Sequence, residues 1–118
     1  MTEYADTACQ ALLDKDFSLS VPWFLMAGYL YQYCDDSLLS DTFWNGMCRD
    51  MDTFWDAIEH HHKHLIFRDG LCTSSAMDYD EDHLPSRVVY AARHALKHHT
   101  GRTAVNQFSK YPTLHRRG

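Results

Sequence analysis

Apolar residues recur at intervals of three and four along most of this 118-residue chain, the period that lays them on one face of an α-helix. Tyr4, Ala8, Cys9, Leu12 and Leu13 form the first stripe, with Thr2 placed as an N-cap and Glu3 in the first turn. This predicts a short helix ending near Asp16. Ser18 to Ser20 lead into Val21 and Pro22, and proline is tolerated in a first turn because its missing N–H has no intrahelical acceptor to lose. A second helix should therefore run from Val21 to about Cys34, carrying Trp23, Phe24, Tyr29, Tyr31 and Tyr33, with Asp35-Asp36-Ser37 as the turn that closes it. The most periodic stripe is Phe43, Trp44, Met47, Cys48, Met51, Phe54, Trp55 and Ile58. It predicts a third helix over residues 41 to 59, capped by Ser40 or Asp41. Asp50, Asp52 and Asp56 fall largely off that stripe as a solvated face, while Asp41 gains from the helix dipole. Gly46 lies inside this helix, costs about 1 kcal/mol against alanine there, and needs a packing or close-approach reason.

The period breaks between Phe67 and His83, where Asp69-Gly70 and the acidic stretch from Ser74 to Asp82 read as a long surface loop. Pro85 then opens a fourth helix through about His98, with Val88, Val89, Ala92, Ala95 and Leu96 on one side and Gly101 just past its end. No segment alternates apolar and polar long enough to require a strand, and no internal repeat is visible. The expected fold is a small all-α single-domain bundle of about four helices over residues 1–100, followed by a basic, partly ordered tail over 101–118. Its centre should be an antiparallel pair formed by residues 21 to 34 and 41 to 59. Trp23, Phe24, Phe43, Met47, Phe54 and Ile58, with Leu12, Val89 and Leu96, are the expected core.

Composition supports one folded domain: 45% of residues are hydrophobic and 23% charged, too apolar for a disordered chain. The longest apolar run, Val21 to Leu30, is about half of what a bilayer span needs. The acidic N-terminal stretch does not resemble a secretory signal, so the expected location is the cytoplasm. Cys9, Cys34, Cys48 and Cys72 form no CxxC pair and read as reduced, mostly buried thiols. The net charge of −5 is unevenly distributed: residues 1–59 hold eleven acids and two basic residues, and residues 60–118 hold five and nine. All nine histidines lie in the second half. The acidic half can imitate a phosphate array, and the basic residues from Arg87 onward, with Phe108 and Tyr111, offer contacts for nucleic acid.

His60-His61-His62-Lys63-His64 invites a metal reading, because His60 and His64 would share a helix face and His94 with His98 repeats the spacing. No third ligand falls at a standard spacing, so the expectation is a polar helix end without a metal. Asp78, Asp80, Glu81 and Asp82 lack the glycine and terminal glutamate of a calcium loop. No glycine pattern cradles phosphate, and no nucleophile stands in a GxSxG setting.

Tyr29-Leu30-Tyr31-Gln32-Tyr33-Cys34-Asp35, followed by Asp41-Thr42-Phe43-Trp44-Asn45 and a long amphipathic helix, resembles the N-terminal Ia domain of NAD-dependent DNA ligases over about residues 21–60. Tyr29, Tyr31, Asp35 and Asp41 stand at the family's spacing, whereas Gln32, Trp44 and Asn45 replace a histidine, a tyrosine and an aspartate. The resemblance implies a pocket for the nicotinamide mononucleotide half of NAD built from Tyr31, Gln32, Asp41, Trp44 and Asn45. The other reading of the same residues is that Tyr31 and Trp44 pack two helices together and Asp41 caps the third. Ligation is not expected, because the lysine nucleophile motif of the adenylation domain is absent. Arg68-Asp69-Gly70 is the nearest string.

The resemblance also suggests a bacteriophage origin, since short proteins carrying such an element occur in phage genomes. The preferred functional expectation is a non-catalytic binding protein acting through a protein interface, inhibiting a host nucleic-acid-handling or CRISPR-type defence complex. Its supply of Trp, Tyr and Met suits a contact surface. The alternative is a nicotinamide-nucleotide-binding module, with NAD or its mononucleotide as ligand, or an accessory factor in DNA metabolism.

Overall fold

The computed structural model describes residues 2–71 and 84–105. These form four helices, α1 (Asp6–Lys15), α2 (Ser20–Cys34), α3 (Asp41–Thr53) and α4 (Ser86–Thr100), with short 3₁₀ turns at Phe17–Leu19, Trp55–Ala57, Lys63–Leu65 and Arg68–Gly70 and no strand among the described residues. The residues expected to form the acidic loop, Ser74 to Asp82, and those of the expected tail beyond Val105 lie outside the described residues.

Helix α2 organises the rest. Twelve of its fifteen residues are buried, including Val21, Trp23, Phe24, Leu25, Tyr29 and Leu30. A helix apolar around most of its circumference must be covered around most of it, leaving only Tyr31 and Gln32 of the last turn exposed, and complete burial of one such side chain is worth about 1.5–3 kcal/mol. Its most extensive partner is α4. Trp23 meets the His99 ring at 6.1 Å, and Tyr29 Oη accepts a 3.0 Å hydrogen bond from Arg93 Nη2. Numbering thus rises along α2 as it falls along α4, which makes these two the central antiparallel pair.

The expected pairing of α2 with residues 41–59 is corrected accordingly. Phe24 stacks on Trp44 with ring centroids 4.8 Å apart, which sets the first turn of α3 beside the first half of α2. A tight hairpin would have placed it beside the C-terminal end. The connection runs back along α2 instead, and it buries Leu38 and Leu39 as it does so.

Helix ends follow local chemistry. Thr2 does not cap α1; its backbone N–H donates to His99 O at 3.1 Å, and α1 starts at Asp6 behind Ala5. Asp35 closes α2 in the left-handed region at φ 53°, and the N–H groups of Asp35 and Asp36 both donate to Leu30 O. Ser40 caps α3 by accepting from Phe43 N at 3.2 Å. Helix α3 ends at Thr53, six residues before expectation, because the chain tightens into a 3₁₀ turn at Trp55–Ala57. The Lys63 ammonium then takes the carbonyls of Trp55 and Ile58 at 2.7 and 3.0 Å, groups a continuing helix would have used internally. Gly101 ends α4 at φ 80°, as its sequence position implied.

The core differs from expectation at four positions. Leu12 is 38% and Phe54 55% exposed, while Phe43 and Val89 are only partly buried. Tyr29, Leu30, Met51 and Val88 are in the interior instead. The folded body also continues past residue 100. Arg102 ties it to the α2–α3 connection by donating to the Asp36 carboxylate at 3.1 and 3.2 Å and to Ser37 O at 2.9 Å, and Ala104 is buried.

Candidate functional site

The residues singled out by the ligase resemblance lie around the α2–α3 junction. Tyr31 and Gln32 are exposed on the last turn of α2, Tyr31 at 68%. Asp41 opens α3 and is exposed, as is Asn45. Trp44 is half-buried, and one face of its ring is already covered by Phe24. Trp44 therefore packs the two helices together.

A cleft of about 740 Å³ lies on another face of α3, between that helix, α1 and the turn that follows α1. None of Tyr31, Gln32, Asp41, Trp44 and Asn45 lines it. Its apolar floor comes from Leu13 of α1, Phe17 of the turn, Phe43 and Met47 of α3, and Ile58 beyond it. Phe17 meets Phe54 edge to face at 6.2 Å and closes one end. The rim carries Asp14, Asp16 and Asp50, and no lysine or arginine lines the groove.

The local sequence explains this arrangement. Asp16 breaks α1 in an extended conformation and accepts from Ser18 N at 3.0 Å, which turns the chain so that Phe17 faces inward. Ser18 Oγ accepts from Glu59 N at 2.9 Å and ties the groove's far end to residues beyond α3. Gln10 Nε2 donates to Asp14 Oδ1 at 2.7 Å, which steadies one rim carboxylate and leaves its second oxygen outside that bond.

Gly46 sits on the groove lining, and a Cβ added to it would meet nothing within 4 Å. The chain itself thus does not require this glycine for packing. Its effect is to keep the groove wide at the middle of α3, where a visiting backbone can approach the helix closely. A groove with an apolar floor and a carboxylate rim can take an apolar-faced segment that carries positive charge.

Gly46 and the acids of α3 stand out in the sequence, but nothing in it joins them to Asp14 and Asp16. Those residues are separated by about thirty positions, and no periodicity links α1 to α3. The thiols behave as expected where described: Cys9, Cys34 and Cys48 are buried, and burial next to Asp6 pushes the Cys9 thiol up to about 12. No helix among the described residues is long and apolar enough to cross a membrane. No family model, curated protein or solved structure matches this chain.

Proposed function

We propose that this chain is a non-catalytic binding domain of phage type, which acts through a protein interface and seats a cationic, apolar-faced segment of its partner in the α1–α3 groove. The observation that carries the reading is the groove itself: an apolar floor, three carboxylates with no lysine or arginine among the lining residues, and a glycine at its middle that internal packing does not need. Carboxylates on a rim steer and orient a basic partner, while the buried apolar contact supplies most of the affinity. Surfaces built to hold nucleic acid are basic. A host nucleic-acid-handling or CRISPR-type defence complex in the bacterial cytoplasm is therefore the partner class, and occupying its basic surface is the means of inhibition.

The nicotinamide-nucleotide reading has less to stand on. It relies on Tyr31, Gln32, Asp41, Trp44 and Asn45, none of which lines the groove, and Trp44 has committed one face to Phe24.

The test is a peptide-display selection on the immobilised full chain, counter-selected against Gly46→Leu and Asp50→Lys proteins. The expected result is a set of peptides with Lys or Arg flanking apolar anchors, whose binding weakens with salt and is lost in both variants. Peptides that bind Gly46→Leu as well as the original chain would remove the groove from the proposal. Saturable heat from NAD or its mononucleotide, abolished by Trp44→Ala in a folded protein, would favour the nucleotide reading instead.

A further inference from the structure

The break at the end of α3 changes what the histidines beyond it can do. On a continuous helix, residues 60, 61 and 62 would point roughly 100° apart, and only His60 with His64 would share a face. Instead the ligand nitrogens of His60, His61 and His62 all lie within 4.8 Å of one another. His60 stacks on His61 with centroids 4.5 Å apart, and His61 meets His62 at 4.0 Å.

The turn that presents them is pinned at both ends. Ile58 before it and Ile66 after it are buried in the core. Between them, Lys63 N donates to His60 O and Leu65 N to His62 O, both at 3.0 Å. The Lys63 ammonium bridges back to Trp55 O and Ile58 O and lies 4.7 Å from the centre of the Trp55 ring. His60 and His62 are half-buried and His61 is exposed, so the cluster is open to an ion from solvent.

We propose that His60, His61 and His62 form a three-imidazole site for a divalent transition-metal ion of the zinc class, with water as the fourth ligand. Imidazole nitrogen suits zinc, copper and nickel over calcium or magnesium, which prefer oxygen. Three protein ligands with one open position is an established zinc arrangement. Zinc–nitrogen bonds of about 2.0–2.1 Å set tetrahedral ligands roughly 3.4 Å apart. Rotation of the side chains about their own torsions supplies the contraction from the present spacing. Imidazole binds a metal in its neutral form, and an ordinary histidine is largely neutral at pH 7.

One hydrogen bond marks the site. His62 N donates to His60 Nδ1 at 3.1 Å, so that nitrogen holds its lone pair toward the backbone. An ion either takes this lone pair or engages Nε2 after the ring proton shifts to Nδ1. Both routes deprive the His62 N–H of its acceptor, so its amide resonance must move when metal binds.

The test uses the full chain without an affinity tag, since an added histidine run would mask the site. Zinc is titrated by calorimetry, cobalt by visible absorption, and backbone amides are followed by NMR. The expected result is one ion per chain, a four-coordinate cobalt spectrum, and a displaced His62 amide. His61→Gln should weaken binding at least about tenfold, and the exposed position of His61 leaves the core untouched. His94→Gln with His98→Gln, the other stacked pair at 5.8 Å, should leave binding unchanged. Absence of one-to-one saturation, a six-coordinate cobalt spectrum, an unmoved His62 amide, or loss of binding only in the His94/His98 variant would each overturn the site. Run in metal-free buffer, the peptide selection reads the groove alone, so failure of either proposal leaves the other standing.

Discussion

The carboxylate of Asp6 accepts two hydrogen bonds from one residue, Ser40: the backbone N–H at 2.9 Å and the hydroxyl at 2.6 Å. Ser40 in turn caps α3, and Ala5 N donates to Leu38 O at 2.8 Å beside it. The start of α1 is thereby fastened to the start of α3. Removing the carboxylate leaves a part-buried N–H and hydroxyl without that acceptor and loosens the cap, so Asp6→Ala should cost about 1–3 kcal/mol. Asp6→Asn, which keeps one acceptor oxygen, should cost less. Urea unfolding decides this through the midpoint at constant slope. Equal stability of Asp6→Ala and the original chain would show that the contact contributes nothing.

Ser20 is fully buried at the first position of α2, and its hydroxyl finds no hydrogen-bond partner among the described residues. A buried hydroxyl without a partner forfeits its hydration for no return, a penalty of about 1–3 kcal/mol. Ser20→Ala removes the oxygen and little volume. It should therefore raise stability by about 1 kcal/mol, seen as a higher thermal midpoint. A loss of stability on this change would mean that the hydroxyl is satisfied after all.

The sequence carried those elements whose boundaries are written in local chemistry. Pro22, Pro85 and Gly101 start or stop helices by their backbone preferences and Ser40 by its side-chain oxygen; Pro22 lies in the first turn of α2, Ser40 and Pro85 cap the starts of α3 and α4, and Gly101 closes α4. What escaped the pattern depended on partners distant in the chain. Because α2 is apolar around most of its circumference, its periodicity could not say which helix covers it, and α4 proved to be the antiparallel partner. Leu38 and Leu39 look like part of a polar turn but are buried because the connection lies along α2. The groove was illegible for the same reason, since Asp16 and Asp50 meet only through tertiary packing. The periodicity places the histidine cluster on a helix, but α3 ends seven residues before His60, at Thr53, and Lys63 claims the carbonyls beyond it.

Gly46 separates stability from binding. Alanine at an exposed helix interior is about 1 kcal/mol better than glycine, and an added methyl here meets nothing within 4 Å. Gly46→Ala should therefore stabilise the fold by about that amount while narrowing the groove, and Gly46→Leu should fold normally while blocking a groove ligand. Paired measurement of unfolding midpoint and peptide affinity tests both halves. Destabilisation by alanine would show that the glycine serves the fold rather than the groove.

His99 supplies a pH signature with a definite sign. Its ring lies 6.1 Å from Trp23, and its pKa is lowered from the ordinary 6.5, first by burial and then by the neighbouring His98 and His94. As pH falls, the unfolded chain takes up this proton before the folded chain does. The residue's contribution is thus fully present above the ordinary value, declines as pH drops from 6.5 toward the folded pKa, and levels off below it. Urea midpoints measured from about pH 7.5 down to about pH 5 should therefore fall with acidification, and His99→Gln should make the fall shallower. Some slope should remain, because His60 and His62 are lowered in the same direction. The ring resonance of His99 gives the direct check: titration at or above the ordinary value would contradict the burial against Trp23.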